Sequence, residues 1–353
     1  MQTLMLLGDP RWLGPFCAAA AGGHTARARR LLHQGPRWSL QVLDAVRRQL
    51  AQLGASGGAH PAIPLLAAVL GHWGSDAVAA VPELLAVLPH AGEAAARALL
   101  QIGHRVPEMV PGLRALAGQA GDVEAAKGVW WLTGDPQPLA GTLQVLLTCD
   151  RAGVPPAAHT VTEVGSDLLP LVPVAHTRLT GTAARTYPQR DVQVLAARVV
   201  SAATRDPAPV VPTVRAVLTG AGTSSGRAAD LVADLAATQP TAVSELTPVL
   251  RDLLDDPWSA VAAARALWRL GTPPAELAAP LITAITAAYS GRGAAPLLAA
   301  MHAVEAIAEL QQLAERDKRI VISGNDDDLI WQDEMLQDQL RTSIAVLRAA
   351  RHP

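Results

Sequence analysis

The chain has 353 residues, 50% of them hydrophobic but only 3% aromatic, with a formal net charge of −2 and a pI near 6.6. So few aromatic side chains leave Ala, Leu and Val to fill the interior, which suits close-packed helices better than sheets. The near-neutral charge removes any global attraction to nucleic acid or anionic membrane.

Cys17 and Cys149 are too few for a disulfide framework or a thiolate zinc site, so a reducing, cytoplasmic setting is expected. At the N-terminus, MQTLMLLGDPRWLG has no positive side chain ahead of its apolar run. Asp9, Pro10 and Arg11 cut that run short of a signal-peptide core. Farther on, Pro, Gly or a charge interrupts every apolar segment before the roughly 18 residues that a membrane span needs.

Residues 1–58 read as an N-terminal helical cap, with a short helix around 24–34 and a helix from Ser39 to Leu53 ending at Gly54. Residues 54–60, GASGGAH, read as a loop. The cap is basic: seven arginines, among them Arg27, Arg29, Arg30, Arg47 and Arg48, face only Asp9 and Asp44. Those five arginines are expected to form a docking surface for an acidic protein or peptide; the alternative is a merely solvated cap.

Residues 59–316 read as a repeat array whose clearest copy is PTAVSELTPVLRDLLDDPWSAVAAARALWRLG, residues 240–271. Leu246, Val249, Leu250, Leu253 and Leu254 form one apolar stripe of a helix, with Ser244 as its expected N-cap. Asp255, Asp256 and Pro257 break the pattern. Ala260, Ala263, Ala264, Leu267 and Trp268 then repeat the spacing, and Gly271 occupies a left-handed C-cap position. Two short helices cannot bury these stripes alone, so copies must stack.

Second-helix anchors align on Ala95, Ala126, Ala158, Ala197, Ala229, Ala263 and Ala300, with steps of 31, 32, 39, 32, 34 and 37 residues. The longest step contains TGTAARTYPQRD, residues 180–191, expected as an enlarged inter-helix loop. Pro82, Pro111, Pro212, Pro248 and Pro280 fall near the start of each first helix, where a missing N–H costs little. A proline in helix one, an Asp-Pro or Gly turn, and an AAxAL helix followed by Gly together resemble HEAT repeats. AAKGVWWLTGDP (125–136) and AAARALWRLG (262–271) resemble actinobacterial HEAT-repeat proteins in particular. The resemblance implies an all-α, right-handed α-solenoid of about seven helical hairpins with terminal caps that binds another macromolecule. A regular Asp and Arg ladder between repeats is not visible in the sequence.

Beyond a long helix expected from Ala294 to Arg316, residues 317–353 read as an extended segment, DKRIVISG, and a capping helix. That helix carries Leu329, Ile330, Met335, Leu336, Leu340, Ile344 and Leu347. Between residues 305 and 338 ten acids face three basic residues, opposite in sign to the N-terminal cap, so weak head-to-tail self-association is a further expectation.

Several motifs invite chemistry. Gly222-Thr223-Ser224-Ser225-Gly226 matches the G-x-S-x-G nucleophile turn, but a helical segment precedes it where that turn needs a strand, so it reads as a loop between helices. Asp326, Asp327 and Asp328 lack EF-hand spacing and read as a helix N-terminus, and the ten histidines are scattered. No cofactor, metal or catalytic residue is assigned. Trp131 and Trp268 take the same place in their repeats and are expected in the inter-repeat core. Trp130, turned about 100° around the helix, is the candidate for a partner-binding surface. The expected function is a non-enzymatic scaffold or adaptor binding a protein or peptide on a concave face lined by second helices. The competing reading is a HEAT-like enzyme or accessory acting on a small metabolite or, like the alkylpurine DNA glycosylases, on nucleic acid through Trp131 and Asp135.

Overall fold

The computed structural model describes residues 9–22, 40–56, 60–120, 122–149, 161–181, 184, 186–220, 222–286, 293–316 and 326–351. Among the described residues every regular element is helical and no strand occurs. None of the helices is long and apolar enough to cross a membrane. The chain divides into two compact units, Met1–Val145 and Leu146–Pro353.

In the first unit the helices are α1 (Leu13–Ala21), α2 (Leu40–Ala55), α3 (Ala62–His72), α4 (Val81–Ile102), α5 (Val110–Ala120) and α6 (Val123–Thr133). A following helix, α7 (Gln137–Thr148), spans the division. From α2 to α6 each helix packs against the next, as expected where neither an apolar stripe nor its neighbour's can be buried alone. The core holds Leu50, Ile63, Leu66, Leu84, Leu99 and Met109. Trp12 and Phe16 are fully buried and meet edge to face with ring centroids 5.2 Å apart. The expected helices at 80–88 and 93–103 run on without a loop: α4 is interrupted only at Ala91 (φ −138°, ψ 43°), just after Pro89, whose ring obstructs the preceding turn. The expected helix at 24–34 lies outside the described residues.

The second unit contains α8 (Val172–Thr180), α9 (Tyr187–Thr204), α10 (Val211–Leu218), α11 (Thr223–Thr238), α12 (Thr247–Asp252), α13 (Ala260–Arg269), α14 (Pro274–Thr286), α15 (Ala294–Ala300), α16 (Ile307–Glu315) and α17 (Asp326–Arg351). Consecutive helices form hairpins, α8 with α9, α10 with α11 and α12 with α13. Their second members, α9, α11 and α13, lie side by side. The anchors Ala95, Ala126, Ala197, Ala229 and Ala263 are all fully buried, since only a small side chain admits a neighbouring helix so closely. Ala158 lies outside the described residues, and Ala300 is exposed, its place in the core taken by Ala299.

Several boundaries differ from expectation. Pro82, Pro111, Pro212 and Pro248 sit at the second position of their helices, as does Pro173, but Pro280 lies inside α14. Ser244 does not cap a helix: it opens a 3-10 turn, and its hydroxyl donates to Thr241 O (2.9 Å). The segment 180–191 is less of a loop than expected because Thr186 and Gln189 form a capping box that starts α9 at Tyr187. The long helix at 294–316 is split into α15 and α16 by His302, which adopts a left-handed φ of 54°. The segment DKRIVISG lies outside the described residues. Past it, α17 buries Leu336, Leu340, Ile344 and Leu347 against α15 and α16.

Candidate functional site

On α9, α11 and α13, opposite charges meet across neighbouring helices at a separation close to the repeat length. Asp191 of α9 accepts from Arg227 of α11, and Asp230 of α11 accepts from Arg265 of α13 at 2.6 Å, with sequence separations of 36 and 35 residues. Arg198 of α9, 1% exposed, adds a second pair by donating to Asp234 of α11 at 2.6 Å. These pairs form a short ladder across the three helices, but not a regular one, because the paired residues stand at different distances from the anchors Ala197, Ala229 and Ala263. Burial pushes the Asp230 carboxyl above its ordinary value, and the guanidinium groups of Arg265 and Arg198 pull the other way.

Packing places the G-x-S-x-G segment in this ladder. Thr223–Gly226 form the first turn of α11, which follows helix α10, so the segment is helical instead of a loop. Gly222 ahead of it has φ 107° and lies so close to the Tyr187 ring that a Cβ would meet it at 2.6 Å. Ser224 is fully buried and donates to Asp191 Oδ1 at 2.8 Å, while Ser225 donates to the Val217 carbonyl at 3.2 Å. Ser224 thus satisfies a buried carboxylate, and its oxygen does not reach the surface as a nucleophile must.

Beside the ladder the surface is indented and partly aromatic. Tyr187 and Trp258 are 54% and 52% exposed. A shallow hollow of about 250 Å³ runs from Thr223 to Trp258 and Arg265. A larger pocket of about 640 Å³ is lined by residues at the C-terminal ends of α9 and α11, by the preceding Thr162 and Glu163, and by Arg265 and Arg269 of α13. The first unit holds a pocket of about 710 Å³ at the α4 break, with His72, His90, Glu93, Arg97 and Gln101 around an apolar floor.

The residues singled out in the sequence fall elsewhere. Arg27, Arg29 and Arg30 lie outside the described residues. Arg47 is paired with Glu83 (2.9 Å) and Asp44 (3.3 Å), whereas Arg48 is exposed. Trp130 is half-buried on α6. Trp131 and Trp268 are also half-buried, so neither is enclosed in the core as expected. Cations cover their rings: Arg105 lies 4.0 Å and the buried Lys127 4.4 Å from the Trp131 centroid, and Arg269 lies 5.1 Å from that of Trp268. Asp135 is held by Arg114 at 3.1 Å and accepts from the Gln137 N–H at 3.0 Å, so it serves as an anchor for the start of α7. Among the described residues, no three His, Cys, Asp or Glu side chains are grouped to hold a metal ion.

The sequence reading missed Asp191, Arg227, Asp230 and Arg265. Opposite charges recurring near the repeat period were the available signal, masked by the uneven loop lengths that shift each copy's register.

No protein-family model matches this chain, and no curated protein does. Among solved structures, a crystal structure of an engineered protein is similar at 20% identity, covering 90% of this chain and 94% of that one with a TM-score of 0.37, a likeness too low to carry an argument about fold or role.

Proposed function

We propose that this chain is a HEAT-like α-solenoid and a non-enzymatic scaffold that binds a protein or peptide along the face carried by α9, α11 and α13. The observation that carries this reading is the pairing of a charge ladder with an exposed aromatic rim: Asp191, Arg227, Asp230 and Arg265 hold the second helices in register, while Tyr187 and Trp258 stand half in solvent beside them. Tyr and Trp give large contact area at little entropic cost and often anchor interfaces. The near-repeat-length separation of the ladder pairs supports the HEAT-like reading, because stacked copies bring corresponding helices together. Buried Ser224 and anchored Asp135 are both committed to structure, which favours binding over the hydrolase and glycosylase readings.

A photo-crosslinking side chain introduced at Trp258 or Tyr187 tests this in cells of the native host. Reproducible adducts with one protein, absent when the same group is placed at exposed Val346 on α17, are expected. Equal labelling from all three positions would remove the proposed face.

A further inference from the structure

We propose that the pocket between the C-terminal ends of α9 and α11 and the flank of α13 binds a single carboxylate on a peptide segment of the partner, through Arg205 and Arg269. The inference rests on the reading of this face as a protein-binding surface, and it adds the chemistry that the surface selects.

The pocket is rich in charge. Five charged side chains line the pocket: Glu163, Arg205, Asp234, Arg265 and Arg269. Asp234 is matched by Arg198 at 2.6 Å and Arg265 by Asp230 at 2.6 Å, so those two lining groups are balanced within the ladder. Three arginines against two carboxylates leave the lining as a whole with one net positive charge. One net positive charge complements a monoanion, which a carboxylate is and a phosphate at neutral pH is not. The volume of about 640 Å³ admits a short stretch of peptide around that carboxylate.

The backbone at Arg205 is in the left-handed region. Helices α4 and α6 end on Gly103 and Gly134, both with left-handed φ, as such C-caps favour. Helix α9 ends on Arg205 in the same region, at φ 56° and ψ 21°, where an L side chain is strained. Two hydrogen bonds hold it there: its N–H donates to Ser201 O at 2.9 Å, and Gln239 Nε2 donates to its carbonyl at 2.8 Å. Gln239 is itself a pocket wall. Strain maintained by surrounding contacts, at a position where glycine would be relaxed, points to a use for the guanidinium.

The Arg269 guanidinium lies over the Trp268 ring at 5.1 Å, which restrains a flexible side chain yet leaves its N–H edge free to grip a carboxylate in parallel bonds.

Titration of the full chain with short blocked peptides, followed through the arginine Nε–Hε resonances, tests the proposal. A peptide with one central glutamate should bind about tenfold more tightly than its glutamine counterpart, the scale of one charge-assisted contact. A glutamine peptide with a free C-terminal carboxylate shows whether a side chain or a chain end is the source, and binding by either carboxylate form supports the pocket. Arg205→Gly should weaken binding about tenfold yet melt at or above the wild-type temperature, because glycine relaxes the strained cap. Arg269→Gln should weaken binding similarly. Failure of both carboxylate forms to bind more tightly than the blocked glutamine peptide, or undiminished binding by Arg205→Gly, would overturn the proposal. If crosslinking from Trp258 succeeds while these peptides fail, the pocket falls and the scaffold reading stands; the reverse result removes the scaffold face alone.

Discussion

At Ser224 the motif and the fold point in opposite directions, and burial decides between them. A nucleophilic serine must expose its oxygen to substrate, whereas Ser224 is fully buried and spends its proton on Asp191. Ser224→Ala should therefore act on stability, lowering it by about 1 kcal/mol through the lost hydrogen bond, as chemical denaturation would show. Gly112 gives a sharper case. A Cβ there would come within 2.3 Å of the Gly92 carbonyl oxygen, a backbone atom that cannot swing aside. Gly112→Ala is expected to destabilise the first unit by roughly 1–3 kcal/mol, the cost of overpacking. A melting temperature equal to wild type would show that α4 and α5 separate more easily than their contact suggests. Trp268 belongs to the same scale: half-buried with Arg269 on its face, it is a surface stack more than a core plug. Its truncation should cost less than the roughly 3–5 kcal/mol of a fully buried aromatic.

Between elements, the ladder across α9, α11 and α13 carries the electrostatics. The Asp230 carboxyl is raised from its ordinary 3.8 mainly by burial. Because its pKa in the folded protein exceeds the unfolded value, the folded form holds this proton more tightly. Its contribution to stability is thus fully present below the unfolded pKa and is lost as pH rises through the folded value. Carbon-13 titration of the Asp230 carboxyl should give a midpoint above 3.8, and Arg265→Gln should move it higher by removing the nearest opposing guanidinium. A midpoint that stays put in the variant would mean that Arg265 does not sense this carboxylate in solution. The prolines also act at this scale. At the second helical position of α4, α5, α8, α10 and α12, a missing N–H leaves no helical bond unmade, and one element boundary recurs along the chain.

Across the whole molecule, the two compact units carry separate cores, which makes their cooperativity measurable. Leu99→Ala removes a fully buried side chain from the first unit and should cost about 2–5 kcal/mol there. In hydrogen exchange, α4 to α6 should lose protection while α9 and α11 keep theirs; equal loss in both would show that the units unfold as one. Charge asymmetry between the two ends of the sequence predicts weak self-association in sedimentation at low salt, vanishing as the Debye length contracts from about 30 Å at 0.01 M to about 3 Å at 1 M. A monomer at both salts removes that pairing. Helical content, the hairpin period and most buried alanine anchors were legible from residue order, because apolar spacing and small side chains act over one or two turns. Capping by Thr186 and Gln189 was equally local but was hidden inside a segment rich in loop-forming residues. The partners of Asp191, Arg227, Asp230 and Arg265, the burial of Ser224, the break at Ala91 and the left-handed cap at Arg205 depend on groups that meet only when helices pack. Such contacts join residues up to 37 positions apart, and a register shift of one residue turns a helix face by about 100°, so packing had to select them.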